Sequence, residues 1–194
     1  MSLPRLVLGS TSRYRAELLQ RIYADFEQRS PGTDEHPLPG ETPRERALRL
    51  AVAKARGAAV DLHDALVIGS DQVAECDGLV LDKPGTLERA REQLAACSGR
   101  EVHFHTALCL YDTRNGAERI HVDHTRVCFR SLDAAEIVRY VEREQPLDCA
   151  GSFKCEGLGI SLFERIDNED PSALVGLPLI ALARLLREAG ISLP

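Results

Sequence analysis

Residues 65–84, ALVIGSDQVAECDGLVLDKP, place an aspartate where a buried strand would be expected to finish. Leu66, Val67 and Ile68 are an uncharged, largely β-branched run closed by Gly69-Ser70, which predicts a strand buried on both faces and stopped by a turn. Asp71 then stands at the strand's C-terminal end. An unpaired carboxylate there costs several kcal/mol to bury unless solvent, a metal or a cation meets it. Open α/β sheets also gather their ligands at strand ends. Asp77-Gly78, between Val73-Ala74-Glu75 and Leu79-Val80-Leu81, predicts a short hairpin that returns Asp82-Lys83-Pro84 towards Asp71. A carboxylate and an ammonium facing one pocket would suit metal-assisted phosphate chemistry.

The segments before this stretch supply further polar groups. Leu6 to Leu8 predict a buried strand, followed by Gly9-Ser10-Thr11-Ser12 and a helix over 14–24. Ser10, Ser12, Arg13 and Arg15 at that helix start fit two readings: ordinary N-capping by Ser12, or an anion site made of N–H groups, hydroxyls and guanidinium groups. A strand at 26–30 leads into a Pro- and Gly-rich loop carrying Asp34, Glu35 and His36, a solvated turn or a set of metal ligands. Thr42-Pro43-Arg44-Glu45 is a capping box opening a helix to Ala59. On that helix Lys54 falls about 20° from Ala47, inside the apolar arc, so it either snorkels or meets an anion.

Beyond the hairpin, a helix over 87–96 precedes a long hairpin of alternating residues from Val102 to Phe129, turning at Arg114-Asn115-Gly116. His103 and His105 share one face of it, as polar-face residues or as two metal ligands lacking a third nearby. Asp133 and Glu136 frame a second capping box, and Pro146 ends the helix it opens. Residues 149–159, with three glycines, Ser152, Lys154 and Glu156, form a connector or a ligand loop before a strand expected at 160–163. Asp167 to Pro171 is an acidic turn, and the apolar helix 179–188 is expected to be buried all round or to support a homodimer.

Composition narrows the function. At 194 residues and 44% hydrophobic content the chain suits one α/β domain. A net charge of -6 argues against a nucleic acid polymer as partner, so an anionic small molecule would need a local cluster of cations. Cysteines 76, 97, 109, 128, 149 and 155 have no CxxC or zinc-type spacing and predict reduced thiols and a cytoplasmic protein. No apolar run is long enough for a signal peptide or a membrane span, so no membrane partner is expected.

LVLGSTSRYRAELL (6–19), Asp34-Glu35, the Lys54 helix, VIGSDQV (67–73), Lys83-Pro84, AGSFKCEGLGI (150–160) and LVGLPL (174–179) occur in the order in which they stand in the Maf family of nucleotide pyrophosphatases, the septum-formation-inhibitor-like proteins, and the chain resembles that family over nearly its whole length. GSDQV and SFKCEG look like the branch acting on 7-methyl-GTP rather than the branch acting on dTTP and UTP. The resemblance implies a single Maf/ITPase-like domain over 1–194, with an elongated mixed β-sheet flanked by helices and two lobes around a central cleft. It implies Asp71 as general base, Lys54 and Lys83 as catalytic cations, and Ser10, Ser12 and Arg15 with those lysines as phosphate ligands. It also implies Mg²⁺ or Mn²⁺ at Glu35 and Asp71, and Tyr14, Gln72 and Glu156 as the residues that read the base. Arg13 stands where members commonly have proline, a difference that bears on the shape of that turn, and Ala107 replaces a common glycine. Two rivals remain: a dTTP or UTP pyrophosphatase, and a nucleotide-responsive binding module that restrains cell division.

Overall fold

β1 (Arg5–Gly9) lies parallel to both β2 (Glu27–Arg29) and β3 (Ala65–Cys76), and this trio begins the sheet. The computed structural model describes residues 4–193. Its seven-stranded sheet runs β2-β1-β3-β5-β6-β7, where β5 is Glu101–Asp112, β6 Ala117–Phe129 and β7 Phe163–Asp167; β4 (Leu79–Val80) pairs with β3 alone. Parallel pairs at β1 and antiparallel pairs at β3-β4 and β6-β7 make the sheet mixed, as expected. The five α-helices are α1 (Arg13–Gln20), α2 (Pro43–Ala58), α3 (Leu87–Cys97), α4 (Ala134–Glu144) and α5 (Leu179–Glu188). None of them is long and apolar enough to cross a membrane.

The chain divides into two compact units, and β3, β5 and β6 each contribute to both. Unit 1 comprises Met1–Asp71, Thr106–Asp123 and Asp170–Pro194. Its sheet is covered on two sides, as the period-2 alternation of strands requires. Leu6, Leu8, Leu66 and Ile68 pack with α1 and α5 through Leu18, Leu19, Leu182 and Leu186, while Val7 and Val67 pack against Ala58 at the end of α2.

Three expectations change in detail. No turn occurs at Gly69-Ser70: β3 runs through to Cys76, so Asp71 lies mid-strand. Gly69 is there for close approach, since a Cβ would stand 2.1 Å from Ala51 O and 2.4 Å from Ala55 N of α2. The strand expected at 160–163 is a 3-10 turn, Leu158–Leu162, with β7 following it. Lys154 O accepts from the N–H groups of both Gly157 and Gly159 and winds the chain before it can extend. Helix α5 buries Ala181, Leu182, Leu185 and Leu186 but leaves Ile180 exposed, so it is amphipathic rather than apolar all round.

Unit 2 comprises Gln72–His105 and His124–Glu169. Asp77 and Gly78 both take positive φ (51° and 79°), the two-residue hairpin turn that Asp-Gly predicts. Phe104, Phe129, Phe153 and Phe163 meet edge to face at 4.7–5.7 Å between centroids. Phe153 roots the 149–159 loop in this cluster. Further along, Tyr140 Oη accepts from Lys154 N–H at 3.1 Å, and Glu144 Oε2 from Leu158 N–H at 2.8 Å.

Candidate active site

Alternation along β3 sends neighbouring residues to opposite faces. Val67, Gly69 and Asp71 face α2, whereas Ser70 faces the other way and donates its hydroxyl towards Ala107 O (2.8 Å) and Gly176 O (3.0 Å). On α2 the capping box at Thr42 and Glu45 starts the helix where expected, and Ala47, Leu50, Ala51, Lys54, Ala55 and Ala58 form its buried face. The small residues bring helix and strand together. Lys54 therefore meets Asp71 in unit 1's interior, Nζ to Oδ1 at 2.6 Å, with only 6% and 7% of the two residues exposed.

The same ammonium lies 2.8 Å from Glu35 Oε1. Of the acidic loop's three candidate ligands only Glu35 reaches it. Asp34 and His36 pair with each other at 2.5 Å on the exposed side, and the backbone N–H of His36 is the main cause holding the Asp34 carboxyl below its ordinary pKa. Arg46 and Arg49 donate to the carbonyls of Glu35 and His36, fastening the loop to α2. An ion pair buried this deeply adds little net stability once its desolvation is counted, although removing one partner alone is costly.

Arg15, in the first turn of α1, donates Nε–H to Gly176 O at 2.8 Å. Burial lowers its pKa from the ordinary value, and the charges of Asp71 and then Glu35 oppose that shift, so the guanidinium lies within electrostatic reach of both. Ser12 caps α1 by accepting from Arg15 N–H, while Ser10 Oγ accepts from Ser12 N–H at 3.1 Å. The N-capping reading of Ser12 is thus realised. Arg13 takes the first helical position of α1, a position that also admits proline. Its guanidinium stacks 4.8 Å from the Tyr14 ring centroid and donates to Tyr14 Oη.

Gln72, Lys83 and Glu156 belong to unit 2. Gln72 follows Asp71 directly in β3, Lys83 is exposed on the segment between β4 and α3, and Glu156 is exposed beside Cys155, whose thiol donates to it at 3.5 Å. Burial first, then the charge of Glu156, pushes the Cys155 thiol up to about 12, so it is not a nucleophile at neutral pH. His103 and His105 stack with His124 of β6, and His105 Nε2 meets Glu75 at 3.0 Å. Among the described residues no group of three or more His, Cys, Asp or Glu side chains is arranged to hold a metal, and all six cysteines are free.

The charges around Lys54 nevertheless suit a cation that arrives with its ligand. Lys54, Arg15, Asp71 and Glu35 sum to zero, so a triphosphate carrying about four negative charges would need added positive charge. Two carboxylates and phosphate oxygens form the hard donor set that Mg²⁺ or Mn²⁺ takes, usually with one or two protein carboxylates. Glu35 and Asp71 therefore fit such an ion.

Sequence reasoning passed over Ser70, Asp170 and the carbonyl of Gly176. Asp170 is 3% exposed and caps α5 from the acidic turn by accepting from Ile180 N–H at 2.7 Å. Its one signal was an acid nine residues ahead of a helix with no polar N-cap of its own.

The mixed sheet with helices on its faces has known relatives. The Maf-like protein family matches residues 5–189, and the chain belongs to that family. A Burkholderia thailandensis protein named 7-methyl-GTP pyrophosphatase is 60% identical over 195 residues, covering 99% of this chain and 91% of that one. One from Xanthomonas campestris with the same name is 58% identical over 192 residues, covering 99% of this chain and all of that one. Among solved structures, the Staphylococcus aureus Ham1 protein shares the fold at a TM-score of 0.54 and 17% identity, over 95% of this chain and 99% of that one.

Proposed function

We propose that this chain hydrolyses the α–β phosphoanhydride of 7-methyl-GTP, giving 7-methyl-GMP and pyrophosphate, and that it does so in the cytoplasm. The names of relatives at 58–60% identity support the substrate. The observation that carries the chemistry is the buried Asp71 carboxylate held at 2.6 Å by an ammonium that also meets Glu35. Asp71 accepts a proton from water as its oxygen attacks the α-phosphorus; the bond to the bridging oxygen breaks and pyrophosphate leaves. Lys54, Arg15 and Lys83 counter the phosphate charge, with Ser10 and Ser12 adding hydroxyl donors. Glu35 and Asp71 would hold Mg²⁺ or Mn²⁺, which when bound offsets negative charge and polarises the phosphoryl oxygen.

N7 methylation gives guanine a positive charge, which an aromatic face and a carboxylate both favour. Tyr14 supplies the face, Glu156 accepts from the base N1–H and N2–H groups, and Gln72 offers an adaptable amide. Pyrophosphate release across 7-methyl-GTP, GTP, dTTP and UTP, with and without Mg²⁺, tests this reading. Fastest turnover of 7-methyl-GTP, with the preference over GTP lost in Glu156→Ala, is expected. A pyrimidine preference would favour the dTTP and UTP reading, and absence of turnover with any triphosphate the binding-module one.

A further inference from the structure

The segment from Asp170 to Pro178, which leads into α5, was singled out in sequence only as an acidic turn and an apolar motif. Two of the hydrogen bonds it receives meet on one oxygen atom. Gly176 O accepts from Arg15 Nε (2.8 Å) and, at 3.0 Å, shares with Ala107 O (2.8 Å) the single hydroxyl proton of Ser70, which is fully buried and immediately precedes Asp71. Two groups of the site are thus referenced to one carbonyl.

The backbone there is built to aim that carbonyl. Gly176 has φ +124°, a conformation side-chain-bearing residues rarely adopt, yet the nearest atoms to a Cβ would be those of Arg15 at an ordinary 3.6–3.9 Å. Glycine is therefore required by the direction of the chain rather than by crowding. The segment is held at both ends: Asp170 accepts from Ser172 N–H (3.0 Å) and Ile180 N–H (2.7 Å), Thr106 Oγ1 donates to Ala173 O (3.0 Å), and Leu177 is fully buried. All of these residues belong to unit 1.

We propose that Gly176, braced by Ser70 and by the Asp170-capped segment, is the positioning residue for Arg15. Its carbonyl engages Nε–H, fixes the plane of the guanidinium and leaves the Nη–H groups for phosphate oxygens. This rests on the reading of Arg15 as a phosphate ligand. A rigid donor so placed loses little freedom when an anion arrives.

Calorimetric binding of inorganic tripolyphosphate to the full-length protein tests the proposal in Arg15→Ala, Gly176→Ala, Ser70→Ala and the Arg15→Ala/Gly176→Ala double variant, with thermal midpoints measured alongside. Arg15→Ala and Gly176→Ala are each expected to weaken binding about tenfold or more, as the loss of one charge-assisted hydrogen bond does. The double variant should bind no more weakly than Arg15→Ala, because the two residues act as one. Should Gly176→Ala fail to fold, Ser70→Ala, expected to lose about threefold, must likewise lose nothing further once Arg15 is alanine. Additive losses, or wild-type affinity in Gly176→Ala beside a weakened Arg15→Ala, would overturn the positioning role and leave Arg15 as a ligand. Wild-type affinity in Arg15→Ala would remove both.

Discussion

Lys54 and Lys154 are both largely buried lysines, one in each unit, and their ammonium groups end on different partners. Lys154 Nζ donates to Glu144 O at 2.9 Å, approaches Gln145 O at 3.5 Å and stands 4.0 Å from Glu144 Oε1, closing the C-terminal end of α4, where the last carbonyls of a helix lack internal partners. Lys54 leaves the middle of α2 and ends between two carboxylates. The first cation completes a fold. The second is placed against the two carboxylates proposed for catalysis, and its partners rather than its burial set it apart from the first.

The division can be broken most directly at Asp71. Asp71→Asn is expected to lower kcat by about 10²–10⁴-fold, the usual contribution of a positioned general base, measured as pyrophosphate release. Its nucleotide affinity should stay close to wild type; undiminished turnover would take Asp71 out of the chemistry. Lys54→Met comes next: leaving the buried carboxylate without its partner should cost about 3–5 kcal/mol in urea unfolding and also depress turnover. Lys154→Met should differ in its effect on turnover, losing about 1–2 kcal/mol of stability, on the scale of a partly buried cation at a helix end, with turnover retained. A large loss of turnover there would erase the distinction between the two lysines.

The smallest effect belongs to the histidines of unit 2. Burial lowers the pKa of His124, the charges of His105 and His103 lower it further, and Glu75 opposes them. The folded chain therefore binds this proton more weakly than the unfolded chain. Stability should fall as pH drops below about 6.5, the ordinary histidine value, and level off below the depressed folded one. His124→Asn should flatten urea midpoints compared between pH 7.5 and 5.5, and an unchanged pH slope would show that the shift lies elsewhere.

Much of this could be read before the structure, and the omissions have physical causes. Local chemistry gave the capping box at Thr42, the Asp77-Gly78 turn and Lys54 within an apolar arc, because caps, turns and periodicity depend on near neighbours. Gly69 was misread as a turn because a glycine that admits a helix and one that permits a bend look alike in a chain of letters; only Ala51 and Ala55 opposite decide between them. The 158–162 segment failed for a similar reason, since its winding depends on Lys154 O rather than on its own apolar residues. Ser70 and Gly176 lie 106 residues apart, and no spacing rule joins a hydroxyl to a distant carbonyl.

At Gly9 as well as at Gly69, an added Cβ would collide with α2, at Gly9 standing 2.8 Å from both Ala58 Cβ and Lys54 O. The gap between the ammonium and its carboxylate is therefore gauged by main chain resting on main chain. One methyl group added at either glycine would wedge the helix off the sheet. Redesign aimed at a different phosphate length or cation would have to begin with these two absent side chains, before touching any residue that carries a charge.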